Sequence, residues 1–141
     1  MTDNFINVYT DGGARGNPGE AAVGIYITDQ KKNKITEFGK KIGVATNNVA
    51  EYKAVLEALT WINENRERLG EFAKINFFLD SKLVCFQIRG FFKVKDAKLR
   101  DLLFIVRQKE QEIKTPIFYE YIPREENKKA DLLVNQALDN E

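Results

Sequence analysis

Between residues 5 and 27 two apolar strand patterns are joined by a run of glycines, and that join restricts the fold more than any other stretch of the chain. Phe5 to Thr10 reads as a strand, with Ile6 and Val8 on one side and Phe5 and Tyr9 on the other. The run Asp11-Gly12-Gly13-Ala14-Arg15-Gly16-Asn17-Pro18-Gly19 follows, and the expectation is that Asp11 ends the strand and the chain turns sharply on glycine. Ala22 to Ile27 then alternates with period two. A glycine-rich turn that cradles a dinucleotide opens into a helix. This one opens into a strand, which argues against that class of site.

A polar turn at Asp29 to Lys34 leads to a third strand, Ile35 to Ile42, so the first three strands form an antiparallel meander. Thr46, Asn47 and Asn48 supply capping residues for a helix expected to run to about Leu69, with Ala54, Val55, Ala58, Leu59 and Ile62 as its apolar stripe. Ala73 to Leu79 is an apolar run expected to be a central strand. A short helix carrying Leu83, Val84, Phe86 and Gln87 comes next, then a loop. A longer helix, Leu99 to Ile113, has Leu102, Leu103, Ile105 and Val106 as its core face. Ile117 to Ile122 is the last strand, and Lys128 to about Asp139 the last helix, with Ala130, Leu133, Val134, Ala137 and Leu138 as its stripe. The expected fold class is therefore α/β: a five-stranded mixed sheet, an antiparallel meander plus two parallel strands, flanked by helices on both faces. At 141 residues the chain is expected to be one domain, 1–141.

Composition removes several chemistries. There is no histidine, so a Ser-His-Asp triad is excluded and a zinc site is strongly disfavoured. Cys85 is the only cysteine, in an apolar helical pattern, and reads as a core residue rather than a nucleophile. Without a disulfide framework, membrane-spanning run or signal-peptide pattern, a reducing, cytoplasmic setting is expected, with a monomer and no membrane partner. Net charge is +1, so a nucleic-acid partner would have to be met by a local basic patch.

Four acids share a description. Asp11 and Asp80 end strands, whereas Glu51 and Asp131 sit near helix starts, facing or bordering the core. Glu51 lies three and four residues before Ala54 and Val55 and so shares the inward face, where an unpaired acid is costly. Each acid also has an ordinary reading: a turn former, a dipole-favoured first-turn residue, or, for Asp80-Ser81, a helix cap. Gathered in one place, carboxylates without histidine or thiolate are hard oxygen ligands suited to Mg²⁺ or Mn²⁺.

The chain resembles ribonuclease H type 1 over nearly its whole length, on four separated motifs. These are Tyr9-Thr10-Asp11-Gly12-Gly13 with Gly16-Asn17-Pro18-Gly19, Thr46-Asn47-Asn48 leading to Glu51, Leu79-Asp80-Ser81, and Asn127 with Ala130-Asp131. The resemblance implies that Asp11, Glu51, Asp80 and Asp131 are a catalytic tetrad holding two Mg²⁺ ions, with Mn²⁺ as a substitute. Asp11 would bridge both ions, Glu51 and Asp80 would hold one, and Asp131 the other. It implies hydrolysis of the RNA strand of an RNA–DNA hybrid, leaving 5′-phosphate and 3′-hydroxyl ends, with Glu51 also meeting a ribose 2′-hydroxyl. Gly12, Gly13, Ala14, Arg15, Asn17, Asn47, Asn48 and Lys82 would line the hybrid, and Thr46 would seat a DNA-strand phosphate. Two features depart from the family pattern. The histidine that many members carry before the last helix is missing, and Arg124 is the cation expected to supply an electrostatic or product-release role in its place. Arginine cannot act as a base at neutral pH; Glu125 and Glu126 could contribute through water. The long basic insertion of some members is reduced to Arg89 to Arg100, where Phe91 or Phe92 either stacks on the DNA sugar backbone or is an ordinary core residue. This compact form is similar to archaeal and some bacterial members, some of which also cut double-stranded RNA. The competing readings are a catalytically weak nucleic-acid-binding domain of the same fold and a resolvase- or integrase-like nuclease.

Overall fold

The computed structural model describes residues 4–140. In chain order the strands are β1 (Phe5–Gly16), β2 (Gly19–Asp29), β3 (Lys34–Ala45), β4 (Lys74–Leu79) and β5 (Ile117–Tyr121). The helices are α1 (Asn47–Glu64), α2 (Arg66–Leu69), α3 (Lys82–Ile88), α4 (Ala97–Ile113) and α5 (Lys128–Asp139). The sheet order is β3-β2-β1-β4-β5. The β1–β2 and β2–β3 pairs are antiparallel, and the β1–β4 and β4–β5 pairs parallel, as the apolar patterns imply.

Period-two alternation divides the sheet into two faces. Ile6, Val8 and Thr10 of β1 share registers with Ile25 and Ile27 of β2 and with Ile75, Phe77 and Leu79 of β4. All of these are buried. Over this face lie Tyr52, Val55, Leu59 and Ile62 of α1, which packs in turn on Leu102 and Val106 of α4. The other face carries Tyr9, Tyr26 and Phe78, with Tyr9 and Phe78 stacked at 4.9 Å, and α5 lies across β1, β2 and β3.

Several boundaries differ from expectation. β1 does not end at Asp11: Asp11 pairs with Gly24, and the ladder continues to Gly16↔Gly19, so the turn falls at Asn17-Pro18. What ends near Asp11 is the pairing on the other side, where β4 stops at Thr10↔Leu79. α1 stops at Glu64 rather than Leu69, because the Asn65 amide donates to the Trp61 carbonyl at 2.8 Å and closes the helix end. A single further turn, α2, then ends on Gly70 at φ +81°. α3 buries Val84, Cys85, Gln87 and Ile88 and leaves Leu83 exposed. In α4 the buried residues are Leu99, Leu102, Val106 and Ile113, while Ile105 turns outward. No helix of the described residues is long and apolar enough to cross a membrane.

Both helices beside Asp11 approach the sheet backbone to backbone. A Cβ on Gly12 would lie 2.2 Å from the Ala50 carbonyl of α1. On the opposite face, a Cβ on Gly24 would lie 2.2 Å from the Ala130 carbonyl of α5, and one on its cross-strand partner Gly39 would lie 2.4 Å from that of Leu133. These glycines make troughs that no other residue type leaves open. Gly24→Ala is expected to cost at least about 2 kcal/mol, since the obstruction is backbone and cannot repack. Gly13→Ala, whose new Cβ would meet only the Val134 side chain at 3.5 Å, should stay within about 0.5 kcal/mol of wild type. Urea unfolding of the two variants checks this.

Candidate active site

Three of the four acids converge at the end of β4. Asp11, Glu51 and Asp80 each place a carboxylate oxygen so that all three lie within 4.8 Å of one another. The local causes differ. Asp11 sits in mid-strand, where β1 runs on past the end of β4. Glu51 is carried in by the close approach of α1 over Gly12, whose N–H favours the charged form of its carboxyl group. Asp80 follows Leu79 directly. The cap of α3 is not Asp80 but Ser81, whose Oγ accepts from the Val84 N–H at 3.2 Å, so the Asp80 carboxylate is left for the cleft. Asp131, in the first turn of α5, is not within the tight group. It lines the same cleft, of about 470 Å³, and bears electrostatically on Asp11.

The remaining expected site residues divide. Gly12, Gly13, Ala14, Arg15, Asn47, Asn48 and Arg124 all line this cleft, Arg124 from the 3₁₀ turn Arg124–Glu126. Arg15 also pairs with Asp139 at 2.6 Å. Thr46 alone caps α1, accepting from the Val49 N–H at 3.2 Å. Asn47 does not cap; its Oδ1 accepts from the Ala14 N–H, while its own N–H donates to Asn17 Oδ1, both at 2.9 Å. This clasp ties the β1–β2 hairpin to the start of α1. Lys82 stands outside the cleft lining, with Nζ 5.8 Å from the Phe86 ring centre. Phe91 and Phe92 are not core residues: they are 68% and 42% exposed, edge-on to Phe86. Cys85 is a buried free thiol, pushed up to about 11 by burial, consistent with a core residue. Asn127 has a role its motif did not reveal. It is 1% exposed, and its amide donates to the Thr10 carbonyl at 2.9 Å and to Asp80 at 3.0 Å. Both partners are distant in sequence, and the only local signal was an asparagine just before a helix.

Electrostatically the cluster is under load. Asp11 and Glu51 are each 5% exposed, and no ion pair among the described residues involves any of the four acids. Burial first, and then the Asp80 carboxylate, push the Asp11 carboxyl up to about 7. Glu51 is driven well above the usual carboxylate range by burial and then by Asp11, against the opposing pull of the Gly12 N–H. Glu51 Oε2 is buried with no hydrogen-bond partner. An orphaned buried carboxylate oxygen among two further carboxylates, with no histidine or thiolate in reach, fits a hard divalent cation.

The comparisons agree with this geometry. Residues 9–137 match the family model described as "Reverse transcriptase-like". The chain is 38% identical over 138 residues to ribonuclease HI of Halobacterium salinarum, covering 96% of this chain and 65% of that protein. It is 37% identical over 135 residues to a bifunctional protein of Mycobacterium tuberculosis, covering 95% of this chain but 35% of the relative. It thus spans about a third of the length of the mycobacterial relatives it matches. A solved structure of LC11 ribonuclease H1 in complex with an RNA/DNA hybrid superposes with a TM-score of 0.89 at 40% identity, covering 95% of this chain and 96% of that one. The chain belongs to the ribonuclease H type 1 family.

The raised carboxyls set a pH dependence. Between about pH 4 and pH 7 folded Asp11 holds more proton than an unfolded aspartate near 3.8, so its contribution lowers stability as pH rises through that window and is constant above it, and the raised Glu51 carboxyl acts in the same direction. With EDTA present, Asp11→Asn should flatten this slope and raise stability at pH 7.5 by on the order of 2 kcal/mol. Urea unfolding at pH 5 and pH 7.5 measures both; a wild-type protein equally stable at the two values would contradict the account.

Proposed function

We propose that this chain is an endoribonuclease that hydrolyses the RNA strand of RNA–DNA hybrids, leaving 5′-phosphate and 3′-hydroxyl ends. The observation that carries this reading is the gathering of Asp11, Glu51 and Asp80 within 4.8 Å, with Asp131 on the same cleft, in a ribonuclease H type 1 fold. The hybrid bound to LC11 ribonuclease H1 supports the substrate class.

In this reading Asp11, Glu51, Asp80 and Asp131 hold two divalent cations, Mg²⁺ by preference with Mn²⁺ as a substitute. Bound there, such cations supply an acidified water and neutralise charge on the attacked phosphate and the leaving oxygen. The protein's own part is positioning. The close approach of α1 over Gly12 sets Glu51 beside Asp11. The clasp among Ala14, Asn47 and Asn17 holds the hairpin and the α1 start as one surface, on which these three residues and Asn48 would meet the minor groove, with Gly12, Gly13 and Arg15 also against the substrate. Thr46 would help seat a DNA-strand phosphate, and Lys82 would reach the minor-groove side by swinging away from Phe86. Arg124 places a permanent cation on the cleft, where it would assist charge stabilisation or product release but not proton abstraction. We further propose that residues 1–141 act as one domain and as a monomer in the cytoplasm; the buried single cysteine fits a reducing compartment.

Cleavage of labelled RNA–DNA hybrid, duplex RNA and duplex DNA, with Mg²⁺, Mn²⁺ or EDTA, tests the reading. Hybrid should be cut with either metal and not with EDTA, and duplex DNA should survive. Cutting of duplex RNA would widen the substrate class, and cutting of duplex DNA would favour the resolvase-like alternative. Asp11→Asn should slow hybrid cleavage by more than about a hundredfold, the upper end of what loss of a group merely supporting a metal ligand costs. A variant cutting at the wild-type rate would remove Asp11 from the site. Arg124→Ala should lower the turnover number several-fold with a smaller change in KM; an unchanged turnover number removes its role.

A further inference from the structure

We propose that Asn127 is a positioning residue for the acidic cluster: it sets the orientation of the Asp80 carboxylate and thereby the affinity of the site for a divalent cation. The inference rests on the reading that these acids hold a cation, and it adds a residue to which neither the family motif nor the sequence assigned any role.

Asn127 joins the three segments that deliver Asp11, Asp80 and Asp131. Its Nδ2 donates to the carbonyl of Thr10, the residue before Asp11, at 2.9 Å, and to Asp80 Oδ2 at 3.0 Å. Its backbone carbonyl accepts the Asp131 N–H at 3.1 Å. The amide orientation is fixed by chemistry: turned over, its oxygen would face two acceptors. Its position before α5 is one where asparagine ordinarily caps a helix, yet its side chain makes no cap bond, and Oδ1 is buried without a partner. Both amide hydrogens are spent instead on the strand and on Asp80. With one oxygen held this way, Asp80 is kept in place beside Asp11 and Glu51 rather than turning away from two neighbouring acids.

The test uses the full chain and Mn²⁺ alone, with affinity read by titration calorimetry and by the spin-resonance signal of free Mn²⁺, in wild type, Asn127→Ala, Asn127→Ser, Asp80→Asn and the Asn127→Ala/Asp80→Asn double variant. Asn127→Ser retains a hydroxyl able to cap α5 and guards against a helix that simply frays. Both single Asn127 variants should bind Mn²⁺ about 10- to 100-fold more weakly. The double variant should bind no more weakly than Asp80→Asn alone, because the effect passes through Asp80. Unchanged affinity in the Asn127 variants, a fully additive double variant, or a wild type that binds no Mn²⁺ would each overturn the proposal. Failure of the nuclease reading is separable: a wild type that binds Mn²⁺ but leaves hybrid intact would sink that reading and keep this one.

Discussion

How closely a helix backbone can lie against a strand decides where everything else in this molecule sits. At Gly12 and at the Gly24–Gly39 pair the carbonyls of α1 and α5 occupy the space a side chain would fill. The two contacts are on opposite faces of β1 and β2, one on either side of Asp11. Glu51 follows the residue whose carbonyl abuts Gly12, and Asp131 follows the residue whose carbonyl abuts Gly24. Two acids are therefore delivered to the same strand position from two layers by one steric device. Side-chain packing of ordinary helices on sheets would hold those backbones further off.

The hydrophobic core and the acidic cluster serve opposing ends. The apolar face of β1, β2 and β4 under α1 excludes water, and this exclusion raises the cost of charge on Asp11 and Glu51. A protein selected only for stability would replace one of these acids with an apolar residue. Retaining them, with one oxygen of Glu51 unpaired, stores unfavourable free energy in the resting cluster. A divalent cation bound there would relieve it and would couple folding stability to metal occupancy.

Much of this was legible in the residues. Alternation identified β1, β2 and β3, the apolar runs identified β4 and β5, and helical spacing found the buried stripe of α1. The strand ends were less legible, because Gly12, Gly13 and Gly16 leave no alternation to read although they pair as a ladder. The α1 end was missed because a single asparagine, Asn65, closes it against a sequence that otherwise continues helical. The acids were found because an inward-facing Glu51 is anomalous on local grounds. The role of Asn127 is not legible, because its partners, Thr10 and Asp80, lie 117 and 47 residues away. Phe91 and Phe92 show the limit of composition: aromatic residues beside cations read equally well as core or surface, and only the fold placed them outside.

Asp11 belongs to the ladder and not to a loop. It is paired to Gly24 within an uninterrupted hairpin that continues five residues beyond it, so its backbone is held by β2 even though the pairing to β4 stops one residue earlier. Backbone paired in a ladder opens less readily than a surface turn. The acidic cluster is therefore anchored on regular sheet rather than on a loop. A ligand would meet a surface already assembled on its strand side, and any adjustment would fall to the short 3₁₀ turn that carries Arg124.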